Sequence, residues 1–195
     1  MVDYKNIINC KYIIDKISAT KKKSFENNIF ISIITSKKLA MSSILLYSLS
    51  ETNNFQIKRI FILDSNKIAA GFKTQTSELK LINKICENLI KRLEYGCAFE
   101  YFEYLDFSGW TIFQKKVLME LYAISKFGET LKYSELSKKI FNTNNYSRAI
   151  GNALAFNPFP IVFPCHRVIR ANSDYGNFQI SKQIKKRLLD YEKNF

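Results

Sequence analysis

The chain has 195 residues, 47% of them hydrophobic, and 30 Lys+Arg against 17 Asp+Glu leave a formal charge of +13. That length suits one large domain or two small ones, and the apolar fraction is too high for a disordered polyelectrolyte. One histidine and four irregularly spaced cysteines exclude a two-histidine zinc site within the chain and a C-x-x-C zinc ribbon, and leave any imidazole chemistry to His166. In chain order, β-branched and aromatic residues over 30–34 and 55–63 predict strands, while 39–49 is ambiguous between strand and helix. Over 77–93, Leu79, Ile82, Ile85, Leu89 and Leu93 recur at helical spacing with Lys and Glu on the other face, and Gly96 stops the helix. An aromatic, acidic stretch over 97–107 and the break at Ser108-Gly109 set a boundary between about 95 and 110. Beyond it the pattern predicts a helix over 111–126, capped by Thr111 or Ser108 with Gly128 past its end. Short helices follow over 133–140 and 146–156, joined by a polar turn at 142–145. Then come an extended apolar run over 161–163 and a last helix over about 181–193. The fold class expected is an α/β N-terminal domain, a small sheet with a helix, over 1–105. A mostly α-helical C-terminal domain over 106–195 follows, with a helix-turn-helix at about 133–156.

The positive charge is uneven. Residues 1–107 hold 16 Lys+Arg and 11 Asp+Glu, and residues 108–195 hold 14 and 6, so a polyanion partner is expected to favour the second half. In the second short helix Arg148, Gly151, Asn152 and Ala155 share one face, while Ile150, Ala153 and Leu154 can face the core. An outer face that is nearly flat, with one long cation, lets a backbone approach a DNA groove closely. The N-terminus lacks the apolar core of a secretory signal, and no apolar run reaches bilayer length. Sparse thiols fit a reducing compartment. The protein is therefore expected to be cytoplasmic, or nuclear in a eukaryote, without a membrane partner.

The strongest local signal is NPFPIVFPCHRV over 157–168. All three prolines of the chain, Pro158, Pro160 and Pro164, fall in seven residues and stiffen the approach to Cys165, which precedes the only histidine. A thiol becomes a useful nucleophile as thiolate, beside a base, a cation or a helix N-terminus. Adjacent residues of a strand point to opposite faces, so His166 serves Cys165 only if the chain turns there or through a bridging water. Glu192 follows Ile184 and Leu188 at i+8 and i+4. It extends an inward face, away from the outer Lys182, Lys185 and Lys186, and a buried carboxylate needs a partner such as an imidazole. Cys10, Cys86 and Cys97 are expected to be inert packing residues.

These residues carry a resemblance. Pro164-Cys165-His166-Arg167-Val168, preceded by Asn157-Pro158-x-Pro160-Ile161, resembles the active-site motif of O6-alkylguanine-DNA alkyltransferases, the methylated-DNA–protein-cysteine methyltransferases. Phe127-Gly128-Glu129-Thr130-x-x-Tyr133 and Ser147-Arg148-Ala149-Ile150-Gly151-x-Ala153 resemble the family's entry to the helix-turn-helix and its recognition helix. Gly176-Asn177-Phe178 and the stretch 185–192 resemble its closing loop and helix. The similarity runs in register over about 106–192. It implies a protein that binds double-stranded DNA carrying O6-alkylguanine, flips the base out, and takes the alkyl group irreversibly onto Cys165; a monomer without cofactor is expected, and the N-terminal metal of some family members is not expected here. By the same resemblance His166, oriented by Glu192, receives the thiol proton through water, and Asn157 holds the turn. Arg148 fills the gap in the stack, with Ala149, Gly151 and Asn152 against the minor groove. Tyr133, Leu154, Pro160, Val168, Phe178 and Gln179 line the pocket, and the Cys165 and Val168 carbonyls read the guanine edge.

Some positions depart from the family. Phe178 replaces a usual Tyr and Ser181 a usual Gly, altering the loop over the base. Ala155 and Phe156 replace an often basic residue and a Gly, reducing phosphate contacts. Lys132 replaces a Ser/Thr, weakening the N-cap of the next helix. Three other readings compete. A non-catalytic module that binds alkylated bases and flags them for other factors would lack Cys165. A sequence-specific regulator leaves the proline-braced Cys-His unexplained. A thiol hydrolase would need an oxyanion hole that no motif supplies.

Overall fold

The computed structural model describes residues 29–49, 55–64, 80–172, 175 and 181–195. Strands β1 (Ile29–Ser36), β2 (Met41–Leu49) and β3 (Phe55–Asp64) form an antiparallel sheet in that order. The segment left open between strand and helix is β2. It pairs on both edges, Ser36 with Met41 and Tyr47 with Ile57, with a register shift between Leu46 and Tyr47. Met41, Leu45 and Tyr47 alternate into the core, which is the period-2 pattern of a half-buried strand. Helix α1 (Lys80–Tyr95) packs against β1 and buries Ile82, Ile85, Leu89 and Leu93, the stripe read from the sequence. Leu79 lies outside the described residues.

The stretch over 97–107 contains a single 3-10 turn, Phe102–Tyr104, and is tied to the sheet. The Asp106 N–H donates to the Ile57 carbonyl (2.9 Å), and Lys58 pairs with the Asp106 carboxylate (2.8 Å). Helix α2 (Ile112–Ile124) starts at Thr111, whose hydroxyl accepts from the Gln114 N–H (3.1 Å). It ends before residue 126 because Ser125 is already extended.

The helix-turn-helix is α3 (Tyr133–Phe141) followed by α4 (Ser147–Ala155). Asn142 ends α3 at φ +58, a left-handed conformation that Asn adopts at low cost. Ser137, fully buried, donates to the Thr143 carbonyl and accepts from the Tyr146 N–H. Phe113 of α2 stacks on Phe141 at 5.3 Å, and Phe141 meets Tyr146 at 4.5 Å, so an aromatic layer fixes the angle of the unit. The Lys132 side chain gives α3 no cap, as expected. The Glu135 carboxylate reaches back instead and accepts the Lys132 N–H (2.8 Å). Helix α5 (Lys182–Lys193) begins at Ser181, whose hydroxyl accepts from the Ile184 N–H (3.1 Å), so the residue replacing a glycine is a working N-cap.

Two-residue strands β4 (Leu131–Lys132) and β5 (Val168–Ile169) pair in parallel. This places the entry to α3 beside the exit from the Cys165 turn. Apolar side chains of the sheet, α1, α2, α3, α4 and the 159–168 segment merge into one cluster, in which Phe159, Val162 and Phe163 are fully buried. Each such side chain contributes roughly 1.5–3 kcal/mol by leaving water. The thiol loop is thus built into the core. Among the described residues no helix is long and apolar enough to cross a membrane.

Candidate active site

Asn157 opens the loop and is fully buried. Its Oδ1 accepts from the Phe159 N–H (3.0 Å), and its Nδ2 donates to the Phe163 carbonyl (2.9 Å) and to Cys165 Sγ (3.1 Å). One amide closes the loop on itself and holds the sulfur. The run over 161–163 is not extended as expected. Ile161 takes φ +80, and the Phe163 N–H bonds back to the Phe159 carbonyl (3.0 Å), making a tight turn. A β-branched residue there costs roughly 1–3 kcal/mol and persists only where its surroundings hold it.

The restraint comes from α1. Arg92 is buried, and its Nε donates to the carbonyls of Ile161 (2.9 Å) and Val162 (3.2 Å). Nη2 donates to Val162 (2.8 Å), Nη1 to the Cys97 carbonyl (2.8 Å), and the guanidinium lies 4.4 Å over the Tyr122 ring. The sequence reading gave Arg92 no role. The available signal was its position at i+3 from Leu89, on the apolar stripe. Arg92→Met fills similar space but leaves buried carbonyls without donors, so unfolding stability should fall by about 2 kcal/mol. Urea denaturation checks this, and Arg92→Lys should restore only part, since an ammonium cannot reproduce the fork. An unchanged midpoint for the Met variant contradicts this account.

Pro164 leads into a single 3-10 turn, Cys165–Arg167. The chain does turn at the Cys-His pair, as imidazole participation requires. Cys165 and His166 are both buried, 3% and 2% exposed. His166 Nε2 lies 2.7 Å from Glu192 Oε1, so α5 delivers its inward carboxylate to the imidazole. Arg167 clamps the same carboxylate, Nε to Oε2 at 2.8 Å and Nη2 to Oε1 at 3.1 Å, and the Gly128 N–H donates to Oε2 (3.3 Å). Burial pushes the Glu192 carboxyl up, but His166 and Arg167 outweigh it and hold it down at about 2.

A carboxylate only accepts, so Nε2 carries the proton and Nδ1 is left with a lone pair. Nδ1 is buried and has no hydrogen-bond partner among the described residues. Burial lowers the His166 pKa, with Glu192 opposing, so the ring is neutral at physiological pH. Burial likewise pushes the Cys165 thiol up to about 11, against the Asn157 hydrogen bond and the Lys185 charge. The resting sulfur is a protonated thiol beside a neutral base.

Tyr133 is held next to this turn by the β4–β5 pairing. Burial raises its phenol pKa and the Cys165 thiol adds to the shift, which marks the two as neighbours. A Cβ on Gly151 would stand 3.7 Å from the Tyr133 ring, so α4 passes Tyr133 at contact distance. Leu154, Pro160 and Val168 are buried around the loop. Arg148, Ala149 and Asn152 are exposed on the outer face of α4, and Gly151 is half-buried. The structure thus gathers Cys165, His166, Glu192 and Asn157 in one cluster and displays the proposed DNA contacts outside it. Phe178 and Gln179, with Gly176 and Asn177, lie outside the described residues, as does Cys10.

Two expectations are corrected. Lys185 is not on the outer face of α5. It is fully buried and donates to the Val168 carbonyl at 2.6 Å, because it shares the i, i+3, i+7 stripe of Leu188 and Glu192. Cys97 is not a packing residue but exposed, its carbonyl held by Arg92, whereas Cys86 is half-buried in α1. Among the described residues no group of three His, Cys, Asp or Glu side chains could hold a metal ion.

Comparison with known proteins gives a consistent result. The family model described as 6-O-methylguanine DNA methyltransferase, DNA binding domain, matches residues 112–194. A methylated-DNA–protein-cysteine methyltransferase of Methanothermobacter thermautotrophicus is 36% identical over 122 residues, 62% of this chain and 66% of that protein. A protein of Acanthamoeba polyphaga mimivirus, named a probable methylated-DNA–protein-cysteine methyltransferase, is 34% identical over 144 residues, 73% of this chain and 93% of that protein. The chain spans about half the length of two further curated relatives that it matches. The crystal structure of Mycobacterium tuberculosis OGT in complex with DNA superposes with a TM-score of 0.58 at 25% identity, covering 84% of this chain and 92% of that one.

Proposed function

The chain belongs to the methylated-DNA–protein-cysteine methyltransferase family, and from that premise we propose that it is a single-turnover DNA repair protein that transfers an alkyl group from O6 of guanine to Cys165. The observation that carries the reading is the buried turn in which Asn157 Nδ2 holds the Cys165 sulfur and Glu192 holds the adjacent His166. Support for DNA as the partner comes from the relative bound to DNA and from the excess of positive charge over 108–195.

A buried thiol with so high a pKa attacks nothing unaided, so proton removal is the first task. The Nδ1 lone pair of His166 takes the Cys165 proton through a water, and the Glu192 carboxylate stabilises the imidazolium formed. The thiolate then displaces guanine from the alkyl carbon. The S–C bond forms, the C–O6 bond breaks, and the electron pair leaves on the base, which becomes guanine by taking up one proton, balancing the one the thiol gave to the imidazole. The thioether has no leaving group for a second displacement, so each chain reacts once. No cofactor is needed to balance these steps.

The lesion lies inside the stack, and unstacking it costs roughly a few kcal/mol. Arg148, exposed on α4, fills the gap, with Ala149, Gly151 and Asn152 against the minor groove. Tyr133 holds the flipped nucleotide. The pocket is formed by Leu154, Pro160 and Val168, to which the family resemblance adds Phe178 and Gln179, and the Cys165 and Val168 carbonyls read the base edge through their second lone pairs. The same reading takes 1–105 as a variable α/β unit and 106–195 as the DNA-binding and reacting unit. It has the protein acting as a monomer in a reducing compartment, the cytoplasm or a nucleus.

The test is to incubate the protein with duplex DNA carrying methyl-labelled O6-methylguanine and to digest the product. Label on the peptide containing Cys165, at no more than one methyl per chain, is the expected result. Absence of transfer, label on another residue, or repeated turnover overturns the reading.

A further inference from the structure

Helix α4 ends in an unusual way. Its exposed residues Arg148 and Asn152 are followed at i+8 and i+4 by Phe156, which is 71% exposed. The three positions lie on one stripe, because residues four apart stack along a helix face. Gln114 Nε2 donates to the Phe156 carbonyl (3.1 Å), tying the end of α4 to the first turn of α2. That turn begins with Ile112, which is 91% exposed. Neither Phe156 nor Ile112 is needed to close the core, which Ile150, Ala153 and Leu154 seal from the opposite side of α4. A largely exposed aromatic ring that ends a stripe already carrying an exposed Arg and Asn marks a contact point.

We propose that Phe156 is the apolar end of the DNA-contacting stripe of α4, pressing on the deoxyribose and base edges of the minor groove about two helical turns beyond Arg148. The inference rests on the repair reading, which puts this helix face on the duplex. The occupant is DNA rather than a second protein because Phe156 continues the stripe that carries Arg148 and Asn152. Minor-groove proteins combine such cations with apolar wedges set against the sugars and bases. It stands against the expectation that Phe156 reduces phosphate contacts and adds nothing in return. An apolar contact releases no counterions, so its share of the affinity is insensitive to salt, unlike that of a cation on phosphate.

Phe156→Ala, Ile112→Ala and Arg148→Ala are compared with wild type for binding to a lesion-containing duplex, by fluorescence anisotropy across a salt series. Phe156→Ala should weaken binding about 10-fold and leave the slope of log affinity against log salt unchanged, with Ile112→Ala losing less. Arg148→Ala should lower both. Phe156 sits in solvent, so its truncation does not threaten folding. Wild-type affinity in Phe156→Ala, beside a weakened Arg148→Ala, overturns the inference and leaves the repair reading standing. A flattened salt slope in Phe156→Ala overturns it too, as does loss of self-association in sedimentation with DNA affinity unchanged, which would assign the surface to a second copy. A wild-type protein that neither binds the duplex nor takes up label removes the repair reading and this inference with it.

Discussion

Cys165→Ser should bind duplex DNA and transfer nothing. Serine is close to cysteine in shape, and its hydroxyl oxygen can still accept from Asn157 Nδ2, which lies 3.1 Å from the sulfur. The loop is therefore kept, and the substitution should cost about 1 kcal/mol of stability. The chemistry is not kept. An alcohol gives up its proton far less readily than a thiol, and sulfur is the stronger nucleophile toward saturated carbon. The imidazole can still bond the serine hydroxyl, but an oxygen that keeps most of its proton is too weak a nucleophile to displace guanine from a saturated carbon. Chain-bound label after incubation with methyl-labelled duplex should fall below detection, while duplex anisotropy and the thermal melt stay near wild type. Transfer by Cys165→Ser at the wild-type level would show that another residue is the acceptor.

The second large effect is expected at Glu192, where one carboxylate serves both the neutral His166 imidazole and the Arg167 guanidinium. Glu192→Gln leaves the Arg167 guanidinium buried without a counter-charge, and its amide can offer His166 either an acceptor or a donor. The wild-type carboxyl sits near 2 in the folded chain against 4.5 as its ordinary value, a depression. Its contribution is therefore complete above the unfolded pKa and disappears as pH falls through the folded one. At pH 7 the variant should be about 3 kcal/mol less stable than wild type, or ~6–12 °C lower in melting temperature for a chain of this size. The deficit should shrink to less than half by about pH 3, where the carboxyl of the unfolded chain has already taken up its proton and the folded one is still mostly charged. Methyl transfer should slow by about 10²-fold, because the imidazole is no longer fixed with its lone pair on Nδ1. Urea unfolding between pH 7 and pH 3, paired with single-turnover rates, separates the two effects. A deficit that does not change with pH would mean that the carboxylate charge is not what the fold uses.

Much of the site was legible because its logic is local. Three prolines around Asn157, the adjacent Cys165 and His166, and the flat face of the second short helix are all features of neighbouring residues. Glu192 was legible through its i, i+4, i+8 relation to Ile184 and Leu188. What stayed hidden depends on partners far along the chain. Arg92 and Lys185 look like solvated cations in amphipathic helices, and only the carbonyls of Ile161, Val162 and Val168 explain their burial. Both sit on apolar stripes, a weak sign that a cation has an inward task. Ile161 reads as strand from its β-branched side chain, but the Arg92 fork and the bond between the Phe163 N–H and the Phe159 carbonyl impose a turn. Local propensity loses there to a tertiary restraint. At β2 the same competition went the other way: pairing on both edges settled a segment that pattern alone left open.

Trp110 gives the thiol loop an optical voice. It is the only indole in the chain, stacked on Phe159 at 5.8 Å and set edge-on to Phe163 at 5.5 Å. Phe163 is the residue whose carbonyl receives both the Asn157 amide and the Cys165 N–H. Trp110 is thus linked to the Cys165 sulfur through Phe163 and Asn157. If Cys165 takes up the alkyl group as proposed, tryptophan emission reports from that single location and should follow the event in real time without a label on either partner.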